Sequence, residues 1–104
     1  MIYETSQQSF PLDIGGALLA VVAVVNKDVP QCAALMVLLE EEMSRFPDVR
    51  FFQLDPEKSP FLSAQLNITA LPTLIGWRQG AVQWTLVGVH QAQEIQQKLQ
   101  QLRD

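Results

Sequence analysis

Cysteine is nearly missing from this chain. Cys32 is the only one in 104 residues, so no internal disulfide can close, and electron exchange through a pair of thiols within one chain is excluded. Histidine is equally scarce, and His90 together with Cys32 falls short of the roughly four ligands that a structural zinc site takes. No metal or other cofactor is expected. Basic residues are few as well: seven Lys and Arg against eleven Asp and Glu leave a net charge of -4. The seven are scattered, with no stripe to displace counterions from a phosphate backbone, so nucleic acid is not an expected partner. The apolar run Ala17 to Val25 is nine residues long, against the roughly 20 that cross a bilayer. No positive segment precedes it as in a signal peptide. The expectation is a soluble, cytoplasmic protein with no membrane partner.

Apolar residues make up 48% of the chain and charged residues 17%, a balance that folds rather than stays disordered. The length suits one domain, residues 1–104, built on one sheet. Ile2 to Glu4 reads as a short first strand, followed by a capped helical turn or loop through Thr5–Phe10 that Pro11 interrupts. The continuous, Val-rich run Ala17–Val25 reads as a central strand covered on both faces. Asn26-Lys27-Asp28 breaks it, Pro30 suits a first helical position, and a helix runs to about Arg45 with Leu35, Leu38, Leu39, Met43 and Phe46 on its core side. Its Glu40-Glu41-Glu42 reads as a solvated turn. Ala33, Met36 and Val37 lie on a second face, which is either broadly buried or an exposed patch suited to a partner or a homodimer.

Val49–Leu54 follows as a further short strand, and Asp55-Pro56 turns the chain into a short helix from about Glu57 to Leu66. Thr73–Trp77 and Ala81–Val87 form a hairpin across Arg78-Gln79-Gly80. The tail carries Ile95, Leu99 and Leu102 as a narrow apolar stripe on a terminal helix. Strand, helix, strand, helix, hairpin and helix in this order imply an α/β fold with a central mixed sheet flanked by helices.

From Ala17 onward the chain resembles the thioredoxin-like superfamily. Ala70-Leu71-Pro72-Thr73 is similar to the Ile-Pro-Thr segment of that family. Pro60 lies twelve residues before Pro72, Gly80 eight after it, Gly88 eight after that, and Cys32 forty before it. The resemblance implies a cis Leu71–Pro72 bond facing the helix that begins near Pro30, and a backbone there that pairs with an extended bound peptide. It also exposes departures. Val29-Pro30-Gln31-Cys32 stands in place of Cys-x-x-Cys, Ala23 where the family buries an aspartate, Gln53 where it has a lysine, and Asp28 where an aromatic precedes the motif. The active site is thereby expected to be degenerate.

Single-cysteine thioredoxin modules of bacterial holdase chaperones keep a thiol at the same second position. Thioredoxin-like hydrogenase-maturation chaperones carry a Gly-Ile-His segment similar to Gly88-Val89-His90. These resemblances imply a protein or extended-peptide client bound at Val29, Pro30, Gln31, Leu71, Pro72 and Val89, with Val87 and Gly88 bordering the same surface. The rival expectation is a monothiol redox protein in which Cys32 forms a mixed disulfide with a client or glutathione. Cys32 itself reads either as a reactive thiol at a helix N-terminus or as a small buried hydrophobe, and packing is the simpler reading. His90 reads as an exposed or capping residue without a carboxylate partner.

Overall fold

A strand buried on both faces must be apolar throughout, and β2 (Leu19–Val24) is buried at every position. In the computed structural model, which describes residues 1–104, β2 is the middle strand of a five-stranded sheet. It pairs in parallel with β3 (Arg50–Leu54), which pairs in parallel with the short β1 (Tyr3–Glu4). On its other side β2 pairs antiparallel with β4 (Thr73–Arg78), which pairs antiparallel with β5 (Ala81–Val87). The spatial order is β1-β3-β2-β4-β5, one mixed sheet in one domain.

Alternation along β2 divides the core. Leu19, Val21, Ala23 and Val25 pack with residues of α2 (Pro30–Met43) and α4 (Ala92–Arg103), among them Leu35, Leu39, Ile95, Leu99 and Leu102. Ala20, Val22 and Val24 face the opposite layer, with Ile14 of α1 (Phe10–Gly15) and Leu62 of α3 (Pro60–Gln65). No helix is long and apolar enough to cross a membrane.

Three expectations about the helices are corrected. Pro11 does not interrupt a turn; it sits in the first turn of α1, where its missing N–H has no intrahelical partner to lose. The helix expected from about Glu57 begins at Pro60, because Asp55 first closes a turn by accepting the Glu57 N–H at 2.9 Å. Glu42 is not solvated. It is 3% exposed and accepts a hydrogen bond from Gln96 Nε2 on α4 at 2.8 Å, while its second carboxylate oxygen has no partner. On the second face of α2, Ala33 and Val37 are exposed and Met36 is half-buried.

The hairpin is tighter than expected, since Arg78 belongs to β4 and only Gln79 and Gly80 form the loop. Both have positive φ, 50° and 79°, the pair of conformations that matches the twist of a two-residue hairpin. Arg78 then caps α4, donating to the carbonyls of Leu102 and Arg103 at 3.1 and 3.2 Å. Arg103 is bound through its guanidinium to Asp48 and stacks over the Phe46 ring at 4.7 Å, which fastens the end of α4 to the α2–β3 loop.

Gly76 faces Trp84 across the β4–β5 ladder, and a Cβ there would lie 2.4 Å from the indole. Gly76→Ala is expected to destabilise the fold by about 1–3 kcal/mol through overpacking. Urea denaturation reads the effect, and a variant as stable as the parent would show that the indole has room to move.

Candidate functional site

Register brings the expected site residues to one end of the sheet. Val24 on β2 lies opposite Thr73 on β4, and Thr73 lies opposite Val87 on β5. The segment leaving β2, the segment arriving at β4 and the segment leaving β5 therefore emerge side by side.

Asn26 begins the first segment by accepting the Asp28 N–H on its side-chain oxygen at 2.8 Å, and its carbonyl accepts the Val29 N–H at 3.1 Å. This side-chain-supported turn stops β2. Val29 is the extended residue that caps α2, its carbonyl receiving the Cys32 N–H at 3.0 Å, and Pro30 opens the helix. Pro30 and Gln31 are exposed, Val29 is half-buried, and Cys32 is 2% exposed within the α2/α4 core. Ala23 is fully buried and lies opposite Gln53 of β3. Of the groups near this helix start, Ala23 has nothing with which to accept a proton from a thiol.

The second segment is the bend through Ala70, Leu71 and Pro72, fixed where Thr73 Oγ1 donates to the Ala70 carbonyl at 2.7 Å. The Leu71–Pro72 bond is cis, Pro72 is buried and Leu71 half-buried. Gly88, at φ 89°, donates its N–H to the Pro72 carbonyl at 2.8 Å and ties the third segment to the second. Neither the N–H nor the carbonyl of Leu71 has a partner in the chain. Beside it Val89 is 65% exposed and Val87 about half.

His90 corrects its expectation. It has a carboxylate partner, with Nδ1 at 2.9 Å from Glu94 Oε2 and Nε2 at 2.9 Å from the Val87 carbonyl. Both neighbours are acceptors, so only the doubly protonated ring satisfies both. The Glu94 hydrogen bond and then the Val87 carbonyl raise the His90 pKa, against a smaller opposing effect of burial, and the same contact lowers that of Glu94. A group whose folded pKa is raised adds stability that is whole below its unfolded value, about 6.5, and fades as pH rises through the folded value. The His90 ring protons are accordingly expected to titrate above that reference by NMR, and Glu94→Gln to bring the midpoint down. A midpoint indifferent to that substitution would mean that the contact is not made in solution.

On the parallel side of the same sheet end lies a cleft of about 580 Å³. Residues at or just past the ends of β1, β2 and β3 line it, together with Cys32, Ala33 and Met36 of α2 and with Lys58 and Ser59 ahead of α3. Of the expected site residues only Cys32 reaches it; Val29, Pro30, Gln31, Leu71, Pro72 and Val89 lie outside its walls. Asn26 and Ser59 had drawn no functional reading: Asn26 was read only as the end of a strand, and Ser59 fell inside the helix expected from about Glu57, whereas it is the residue just ahead of α3.

Comparison with known proteins agrees with this architecture. The family model described as thioredoxin matches residues 2–101. The thioredoxin-like protein slr0233 of Synechocystis is 31% identical over 70 residues, 66% of this chain and 67% of that protein. Mitochondrial thioredoxin-3 of Saccharomyces cerevisiae is 27% identical over 59 residues, 57% of this chain but 46% of the other. Among solved structures, Plasmodium falciparum thioredoxin superposes with a TM-score of 0.90 at 21% identity, covering 96% of this chain and 98% of its own. The oxidised yeast mitochondrial thioredoxin 3 gives 0.89 at 20%, covering 96% and 94%. At such identities the structural likeness speaks for the fold alone. With nearly the whole sequence matched by the family model and one relative above 30% identity over two thirds of its length, the chain belongs to the thioredoxin family and has its fold.

Proposed function

We propose that this protein is a thioredoxin-fold binding module with a degenerate active site, which holds an extended segment of a protein client and performs no dithiol exchange. The observation that carries the reading is the unpaired backbone of Leu71, one donor and one acceptor at the end of a sheet beside the exposed Val87 and Val89. An extended peptide laid along Leu71 would satisfy both groups by strand addition, with Val29, Pro30, Gln31, Pro72 and Val89 as the surrounding surface. Loss of the first thiol at Val29 and of an acid/base residue at Ala23 fits a surface kept for binding.

The test uses a synthetic hexapeptide of alternating Val and Thr, blocked at both ends. Its addition is expected to slow hydrogen exchange at the Leu71 amide, and Val89→Asp to weaken binding about tenfold, or 1.4 kcal/mol. An unchanged Leu71 exchange rate at saturating peptide would overturn the reading.

The monothiol alternative rests on Cys32 forming part of the cleft wall. Alkylation of the native protein across pH separates the two. Fast reaction well below pH 8.5 favours thiol chemistry, whereas reaction limited by unfolding leaves Cys32 a packing residue. A cytoplasmic location and a homodimer through the exposed α2 face at Ala33 and Val37 belong to the same proposal. Light scattering tests the dimer, and a monomer at every concentration would remove it.

A further inference from the structure

We infer that the cleft at the carboxyl ends of β1, β3 and β2 is a second binding site, for a small zwitterion of the short-peptide type. Its volume of about 580 Å³ falls where small-molecule sites fall, well beyond what one buried water occupies. Its position is where α/β sheets place ligands, in the crevice outside the carboxyl ends of parallel strands. All three parallel strands contribute at their ends: Glu4 and Thr5 at β1, Val25 and Asn26 after β2, Gln53 and Asp55 at β3.

The chemistry of the walls selects the ligand. Asn26 is 6% exposed, and while its side-chain oxygen is used by Asp28, its Nδ2 donates to nothing in the chain. Ser59 is 1% exposed; its Oγ accepts the Gln7 N–H at 3.3 Å and keeps a hydroxyl hydrogen to give. Two donors in residues more than nine-tenths buried thus line a polar cavity without being bonded to any acceptor in the chain, an arrangement that an acceptor from outside completes. The Gln53 side-chain amide also has no partner in the chain.

Four charged residues complete the walls. Lys27 and Lys58 form no ion pair within 4.0 Å, and neither do Glu4 and Asp55. Two ammonium groups with the spare donors suit a carboxylate, and two carboxylates suit an ammonium. A ligand of one sign would leave half of these groups facing like charge; one that carries both ends is complementary to all of them. The cleft and the Leu71 backbone are separate places, so this inference does not stand or fall with the client reading.

Triglycine is the probe, titrated into the nitrogen-labelled protein and followed by NMR. Saturable shifts are expected at Asn26, Gln53, Lys58 and Ser59. The peptide blocked as N-acetyl and C-terminal amide is expected to bind at least about tenfold more weakly, as is triglycine with the double variant Lys27→Met/Lys58→Met. Both lysines are exposed, so the double variant should keep the parent's unfolding midpoint, and the blocked peptide makes the same comparison without altering the protein. Absence of saturable shifts at millimolar triglycine would overturn the inference. So would equal affinity for the blocked peptide, or shifts confined to Leu71–Thr73 and Val87–Val89.

Discussion

Leu99→Ala is expected to lower the stability of this domain by about 2–5 kcal/mol, the range for emptying a well-packed leucine site. Leu99 is fully buried on α4, between α2 and the sheet. Its removal leaves a void that Leu39 and Leu102, themselves fully or almost fully buried, cannot fill without leaving their own contacts. Domains of this length hold about 5–15 kcal/mol in total. The loss is therefore a large fraction of the whole, with a midpoint drop of about 4–8 °C per kcal/mol. Gln97, exposed on the opposite side of the same helix, serves as the control, and its alanine variant should fall within about 0.5 kcal/mol of the parent. Urea unfolding of both variants is the measurement. A loss below about 1 kcal/mol at Leu99 would mean that α4 is not docked on the sheet as described.

That stripe on α4 was legible because Ile95, Leu99 and Leu102 recur at helical spacing in an otherwise polar tail, and all three are buried. β2 was legible for the opposite reason: a strand with helices on both faces has no polar face to alternate with. Glu42 shows where composition misleads. Three consecutive glutamates look solvated, yet residues 32, 35, 39 and 42 fall on one stripe of α2 and all four are buried. Phase outweighed residue type, and Gln96 on the facing helix supplies a hydrogen bond that no local reading contains.

The candidate site divides in the same way. Val29, Pro30, Gln31, Leu71, Pro72 and Val89 were proposed from the family resemblance, and the register of β2, β4 and β5 explains why such distant segments emerge together. The cleft was not legible, because its walls come from five separate stretches of chain and none of those stretches is unusual by itself. His90 was misjudged because its partner, Glu94, is one helical turn away, a neighbour only once the chain folds so that the ring also meets the Val87 carbonyl.

Val29→Cys is expected to add insulin-reducing activity that the single-thiol parent is proposed to lack. The introduced thiol would sit at the cap of a 14-residue helix that has no acidic residue in its first turn, so the helix dipole favours its thiolate, with Asp28 opposing. That thiolate attacks one sulfur of an insulin disulfide, releasing one insulin thiolate and leaving a mixed disulfide. Cys32, three residues further on and one turn into the helix, then attacks the Sγ of residue 29 in that mixed disulfide. This releases the second insulin thiolate and closes an intrachain disulfide, which dithiothreitol returns to the dithiol. The parent cannot take the second step, having one thiol. Its insulin precipitation with dithiothreitol should match dithiothreitol alone, while the variant runs faster and, when oxidised, shows no free thiol after denaturation. Turnover should still be slow, because Ala23 offers no proton acceptor where positioned acids and bases contribute about 10²-fold or more. If the parent itself outpaced dithiothreitol, Cys32 would be acting through an intermolecular partner, and the loss of exchange chemistry on which the client reading depends would not have occurred.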